Sequence, residues 1–87
     1  MKINLFGNLR QKAGFSEKAC SGATLRVALE ELCVDNAALR AAIFDENDLQ
    51  PHVRVMVNGQ DSELAQGLDT PVSPGDRIAV FPPIAGG

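Results

Sequence analysis

The sequence predicts an α+β domain in which a mixed sheet of four to five strands packs on one main helix. Three observations carry this reading. Apolar residues alternate at Ile3 and Leu5, at Val53, Val55 and Val57, and at Ile78 and Val80, the period-two mark of half-buried strands. Leu25, Ala28, Leu29 and Leu32 follow i, i+3, i+4, i+7 spacing and make one strong helical stripe. Asn58-Gly59 directly follows an alternating run, the strongest short hairpin signal because a type I′ turn needs two positive φ angles. One helix layer covers one face of a sheet and leaves the other open.

Each element follows from local chemistry. Met1 to Phe6 reads as a strand with Ile3 and Leu5 on one face and Lys2, Asn4 and Phe6 on the other. Gly7 to Gly14 is polar and reads as a loop or turn, and Phe15 to Ala19 as a short strand returning beside the first. Thr24 is suited to cap the main helix, which should run to about Cys33; Val27 at the third helical position rules out a capping box. Arg26, Glu30 and Glu31 fall outside its apolar stripe, so the acidic pair reads as a solvated face. Asn36 caps a second, shorter helix, Ala37 to Phe44, with Leu39 and Ile43 inward.

Asp45-Glu46-Asn47-Asp48 reads as a solvated acidic loop, since it lacks the alternating Asp spacing and glycine of a calcium loop. His52 follows Pro51 in a loop without a Ser–Asp or second His pattern, and reads as exposed or capping. In Val53 to Val57 the valines point inward, Arg54 and Met56 outward. Leu64 to Val72 is irregular. Pro74-Gly75 turns the chain into Arg77 to Phe81, with Ile78 and Val80 inward and Phe81 outward.

Composition bounds the function. Eighty-seven residues allow one domain, burying about 60–65% of its unfolded surface. With 45% hydrophobic and 22% charged residues, an ordinary globular domain is expected. A net charge of −3 argues against a nucleic-acid partner, which would require a basic face. No long apolar run or leader pattern suggests a membrane, so a cytoplasmic protein is expected. Cys20 and Cys33 are too few for a zinc or iron–sulfur pattern and read as half-buried structural thiols, with no metal site.

The chemistry concentrates at the end of the sequence, Phe81-Pro82-Pro83-Ile84-Ala85-Gly86-Gly87. Pro82 and Pro83 lack N–H groups and fix φ, so no ladder continues through them and the chain is launched stiffly outward. A domain over 1–81 and an extended, flexible tail over 82–87 are therefore expected. Fully extended, those six residues reach about 20 Å. Two glycines fit a channel too narrow for side chains. The design presents a carboxylate inside another protein's active site.

That tail resembles the FPPxxGG tail of the sulfur carriers of the MoaD/ThiS family, which includes the small subunit of molybdopterin synthase. Leu5-Phe6-Gly7-Asn8-Leu9-Arg10, followed by Ala13-Gly14, is similar to the family's opening strand and turn. Pro74-Gly75-Asp76 is similar to the turn before its last strand. The resemblance implies the ubiquitin-like β-grasp, with first and last strands parallel neighbours at the sheet centre. Combined with the strand parity, it sets Phe6 and Phe81 side by side and outward, with Met56 near, as a docking surface. The alternative is that a loop covers these rings.

A carboxylate is a poor electrophile, and this chain has no phosphate loop, nucleophile–base pair or metal cluster with which to activate one. No catalytic residue is expected, and no bound cofactor. The resemblance implies that an adenylyltransferase of the MoeB/ThiF type, similar to ubiquitin-activating enzymes, uses ATP to adenylate Gly87. A cysteine desulfurase or rhodanese would then supply persulfide sulfur, making a thiocarboxylate. Gly86, Ala85, Ile84, Pro83 and Pro82 would thread the partner's channel. The acceptor implied first is the large subunit of molybdopterin synthase. Relatives with similar tails serve cysteine, thiamin or tRNA thiolation, and some are modifiers conjugated to lysines. A β-grasp interaction domain with an inert tail is a third reading.

Overall fold

The computed structural model describes residues 1–83 of the chain. Strand β1 (Lys2–Leu5) leads into a short helix α1 (Leu9–Ala13) and strand β2 (Glu17–Ala19). Helices α2 (Leu25–Leu32) and α3 (Ala37–Ile43) follow, then the two-residue strands β3 (Phe44–Asp45) and β4 (Asp48–Leu49). Strands β5 (Arg54–Val57) and β6 (Gln60–Asp61), two 3-10 turns (Ser62–Leu64 and Gly67–Asp69) and strand β7 (Arg77–Phe81) complete the order.

The main sheet has the order β2-β1-β7-β5-β6. β1 and β7 run parallel at its centre, with Ile3 opposite Ile78 and Leu5 opposite Val80, and all other pairings are antiparallel. This is the ubiquitin-like β-grasp. A parallel central pair requires a long crossover, and α2 supplies it over one face. Leu25, Ala28, Leu29 and Leu32 are buried together with Ile3, Leu5, Val55, Ile78 and Val80 in one core. The helix starts where Thr24 Oγ1 accepts the Val27 N–H (3.4 Å), and α3 starts where Asn36 Oδ1 accepts the Leu39 N–H (3.0 Å), both as the sequence suggests.

The structure corrects five local expectations. The Gly7 to Gly14 stretch holds helix α1, anchored by buried Leu9 and closed at Gly14, whose N–H reaches the Arg10 carbonyl (2.9 Å). Five residues are too short to show a helical period. The acidic Asp45–Asp48 stretch is a tight hairpin: Phe44, expected as the end of a helix, pairs with Leu49 across it and is buried. Leu64 to Val72 is compacted by the 3-10 turns, the second of which buries Leu68, and Val72 beyond them is buried where its N–H donates to the Ala23 carbonyl (3.1 Å). Cys20 and Cys33 are fully buried and free, not half-buried. Val57, expected inward, is only half-buried, at the turn end of its hairpin beside Asn58.

Asn58 and Gly59 take φ of +51° and +84°, the type I′ signature. The Asn58 side chain also ties the turn to β7: its Nδ2 donates to Asp76 Oδ1 (3.0 Å) and its Oδ1 accepts the Arg77 N–H (2.9 Å). These bonds hold the Asp76 carboxyl below its ordinary range, the Asn58 amide first, the Ser73 N–H second. Asn58→Ala removes both bonds and strains a left-handed backbone. A loss of about 1–2 kcal/mol in urea denaturation is expected; an unchanged midpoint would mean that the turn holds without them.

Candidate functional site

The parallel pairing of β1 and β7 determines the site, because both strands end on the same rim. Phe6 follows the last residue of β1, and its N–H donates to the Val80 carbonyl (3.1 Å). Phe81 is the last residue of β7. Both rings take the face away from α2 and stack there, centroids 4.6 Å apart and planes 11° off parallel. The pair is worth about 0.5–1.5 kcal/mol beyond its burial. Even so, Phe6 stays 39% exposed and Phe81 37% exposed, and no loop among the described residues covers them.

The ladder then stops. Pro82 has no N–H to extend it; it is half-buried, and Pro83 beyond it is exposed. Gly7 lies against the root of this arm. Its φ is +60°, and a Cβ there would come within 2.7 Å of Pro82 Cγ. Phe6, Met56, Phe81 and Pro82 line the apolar part of an open groove of about 840 Å³. Met56 is half-buried on β5, opposite Ala79 of β7.

The groove's polar side is one sequence reasoning did not assemble. Arg54 pairs in register with Phe81, and its guanidinium lies 2.9 Å from Glu63 and 3.5 Å from Asp61. Its outward parity in the Val53–Val57 alternation was the available signal. His52, exposed as expected, takes φ of +69° and lines the same groove. Gly7 gave no signal as a site residue, since its contribution is the absence of a side chain. Ile84, Ala85, Gly86 and Gly87, which the sequence assigns to the channel and the reactive end, lie outside the described residues.

The model of the ThiS family matches residues 3–87. The chain belongs to the ThiS family. Small archaeal modifier protein 1 of Haloferax volcanii is 32% identical over all of this chain and all of its own length. Sulfur carrier protein CysO of Mycobacterium tuberculosis is 27% identical, covering 85% of this chain and 83% of its own. Among solved structures, the Amycolatopsis orientalis BexX/CysO complex matches with a TM-score of 0.88 at 26% identity, over 99% of this chain and 98% of that one. ThiS-family relatives thus include both sulfur carriers and modifier proteins.

The thiols of this ThiS-family chain are set apart from the groove. Burial pushes the Cys33 thiol up to about 11, and burial first, then the Glu31 carboxylate, pushes Cys20 up as well. Among the described residues there is no group of three His, Cys, Asp or Glu side chains that could hold a metal, and no helix long and apolar enough to cross a membrane. Neither thiol should react with iodoacetamide at pH 8 in the native protein, and both should after unfolding, because the thiolate is the nucleophile. Rapid native alkylation, read by intact mass, would show that the core opens locally.

Proposed function

We propose that this protein is a sulfur carrier whose Gly87 carboxylate is the cargo site. The stacked Phe6–Phe81 pair at the root of the Pro82–Pro83 arm supports the reading most directly, because it sets an apolar docking patch at the point where the arm leaves the body. Family membership adds weight: relatives carry the names sulfur carrier and small modifier. In the proposed cycle a partner adenylyltransferase joins the Gly87 carboxylate to AMP, releasing pyrophosphate from ATP. A persulfide from a cysteine desulfurase or rhodanese attacks the acyl carbon and expels AMP. A second donor thiol then cleaves the S–S bond, leaving a thiocarboxylate on Gly87 and a disulfide on the donor.

The chain itself contributes presentation, not catalysis. Phe6, Met56 and Phe81 dock the body, Pro82 and Pro83 aim the tail, and Ile84, Ala85 and Gly86 thread the channel. The sulfur acceptor proposed first is the large subunit of molybdopterin synthase in molybdenum cofactor synthesis, in the cytoplasm. The likeness to small archaeal modifier protein 1 favours a second reading, conjugation of Gly87 to lysines of target proteins. Both readings begin with the same adenylate.

The test is intact-mass spectrometry of a chain ending at Gly87, given ATP, its activating enzyme and a persulfide donor. Replacement of one oxygen by sulfur is expected. No mass change with an enzyme active on another carrier would count against the carrier reading. Native co-purification then separates the acceptors: a molybdopterin synthase subunit supports the first, lysine-linked adducts the second. Replacing Cys20 and Cys33 with Ala should leave sulfur loading intact, and its loss in a folded double variant would move the chemistry to a thiol.

A further inference from the structure

We propose that Gly7 is a positioning residue: the bare backbone of the turn after β1 is the seat on which Pro82 rests, and this seat sets the direction of the Pro82–Pro83 arm. The inference rests on the carrier reading for its functional consequence, but its geometry stands apart from it. Two requirements coincide at Gly7. Its φ of +60° disfavours L side chains, and a Cβ built there would lie 2.7 Å from Pro82 Cγ and 3.3 Å from Pro82 Cδ. The first distance is shorter than any tolerated contact, and Pro82 cannot swing a side chain aside because its ring closes on its own backbone. Relief must therefore come from the backbone at residue 82, where the arm begins.

The turn is a firm platform for this contact. The Phe6 N–H is tied to Val80 of β7 (3.1 Å), and the Phe6 carbonyl accepts the Leu9 N–H (3.3 Å), with Leu9 buried in the core. Phe6 stacks on Phe81 immediately before Pro82. Seat and arm root are thus held by the same pair of parallel strands. A displacement at Pro82 changes the position and direction from which Pro83 leaves the body. Misplacement of a reacting group by about 1 Å can slow a reaction a hundredfold.

Gly14 provides an internal control. It has φ of +82°, in the same left-handed region, yet a Cβ there would meet nothing within 4 Å. Strain without collision is therefore available in the same protein. Asn is the complementary probe at Gly7, since it tolerates left-handed φ but carries the colliding Cβ.

The test uses the full chain labelled with ¹³C and ¹⁵N. Wild type should show nuclear Overhauser contacts between the Gly7 Hα protons and the Pro82 ring. In Gly7→Ala and Gly7→Asn, the Cα–Hα dipolar couplings of Pro82 and Pro83 should change while those of β1 and β7 persist. Pyrophosphate release by the adenylating partner should then fall about tenfold to a hundredfold in kcat for both variants, with KM little changed. Gly14→Ala should match wild type. In a Pro82→Ala background, which removes the colliding ring, Gly7→Ala should add no further loss, because coupled residues are non-additive.

Absence of the Gly7–Pro82 contact in wild type, or unchanged Pro82 and Pro83 couplings in a folded Gly7→Asn, would overturn the seat. An equal loss from Gly7→Ala in both backgrounds would mean that Gly7 acts independently of Pro82, and overturns it too. Should Gly7→Ala fail to fold while Gly14→Ala folds, the Pro82→Ala, Gly7→Ala double variant decides: recovered folding supports the collision, and continued unfolding refutes it. If wild type is not adenylated at all, the carrier reading fails, while the contacts and couplings still decide the seat.

Discussion

A chain shortened by Gly87 alone is expected to take up no detectable sulfur while keeping its fold. The proposed electrophile is the terminal carboxyl carbon, and removing one residue draws it back by about 3.3–3.6 Å. That is several times the misplacement that costs about a hundredfold in rate, so a loss of at least about a thousandfold is expected. Residues appended after Gly87 should be equally damaging, since they replace the carboxylate with an amide. The described core is built from residues between Ile3 and Val80, so the melting temperature should move by no more than about 1 °C. Intact mass after incubation with ATP, activating enzyme and persulfide donor reads the first quantity, a thermal melt the second. Sulfur uptake by the shortened chain would place the cargo elsewhere than Gly87.

The fold was largely legible wherever a side-chain period ran for four residues or more. Ile3 and Leu5, Val53 and Val55, Ile78 and Val80, and the Leu25–Leu32 stripe all took the faces their spacing implied. The neighbours of each strand were not legible this way. The parallel pairing of β1 with β7, and so the meeting of Phe6 and Phe81, came from the family resemblance and is now visible as ring stacking. Helix α1, the β3–β4 hairpin and the 3-10 turns escaped because each buries too few side chains to leave a pattern. Helix α1 hangs on Leu9, the β3–β4 hairpin on Phe44 and Leu49, and the 3-10 turns on Leu68. Arg54 was read outward, but its ion pairs with Asp61 and Glu63 depend on a hairpin geometry that composition does not encode.

Replacing Phe81 is expected to weaken partner binding at least about a hundredfold, or about 2.7 kcal/mol, in a protein that still folds. The ring is exposed and apolar at the arm's root, and in the proposed function it is the docking anchor, the kind of residue that carries most of an interface's energy. The variant will not be neutral for the free protein. Phe81 is 37% exposed, so most of its surface is covered, and it stacks on Phe6; losing both contributions should lower stability by about 1–2 kcal/mol. Phe81→Glu brings a second consideration, because Arg54 is its cross-strand partner in register. The new carboxylate would compete with Glu63 and Asp61 for that guanidinium and be satisfied in the free state. Docking would then bury a charge against an apolar partner surface, which costs several kcal/mol when no countercharge is supplied. Phe81→Ala should therefore bind weakly and Phe81→Glu more weakly still, whereas Val34→Glu, at an exposed site just beyond α2, should bind as wild type does. Titration calorimetry against the adenylyltransferase measures affinity, and a thermal melt confirms the fold. Normal binding by a folded Phe81→Glu would remove the groove face from the interface, and complete unfolding would assign the ring to the core.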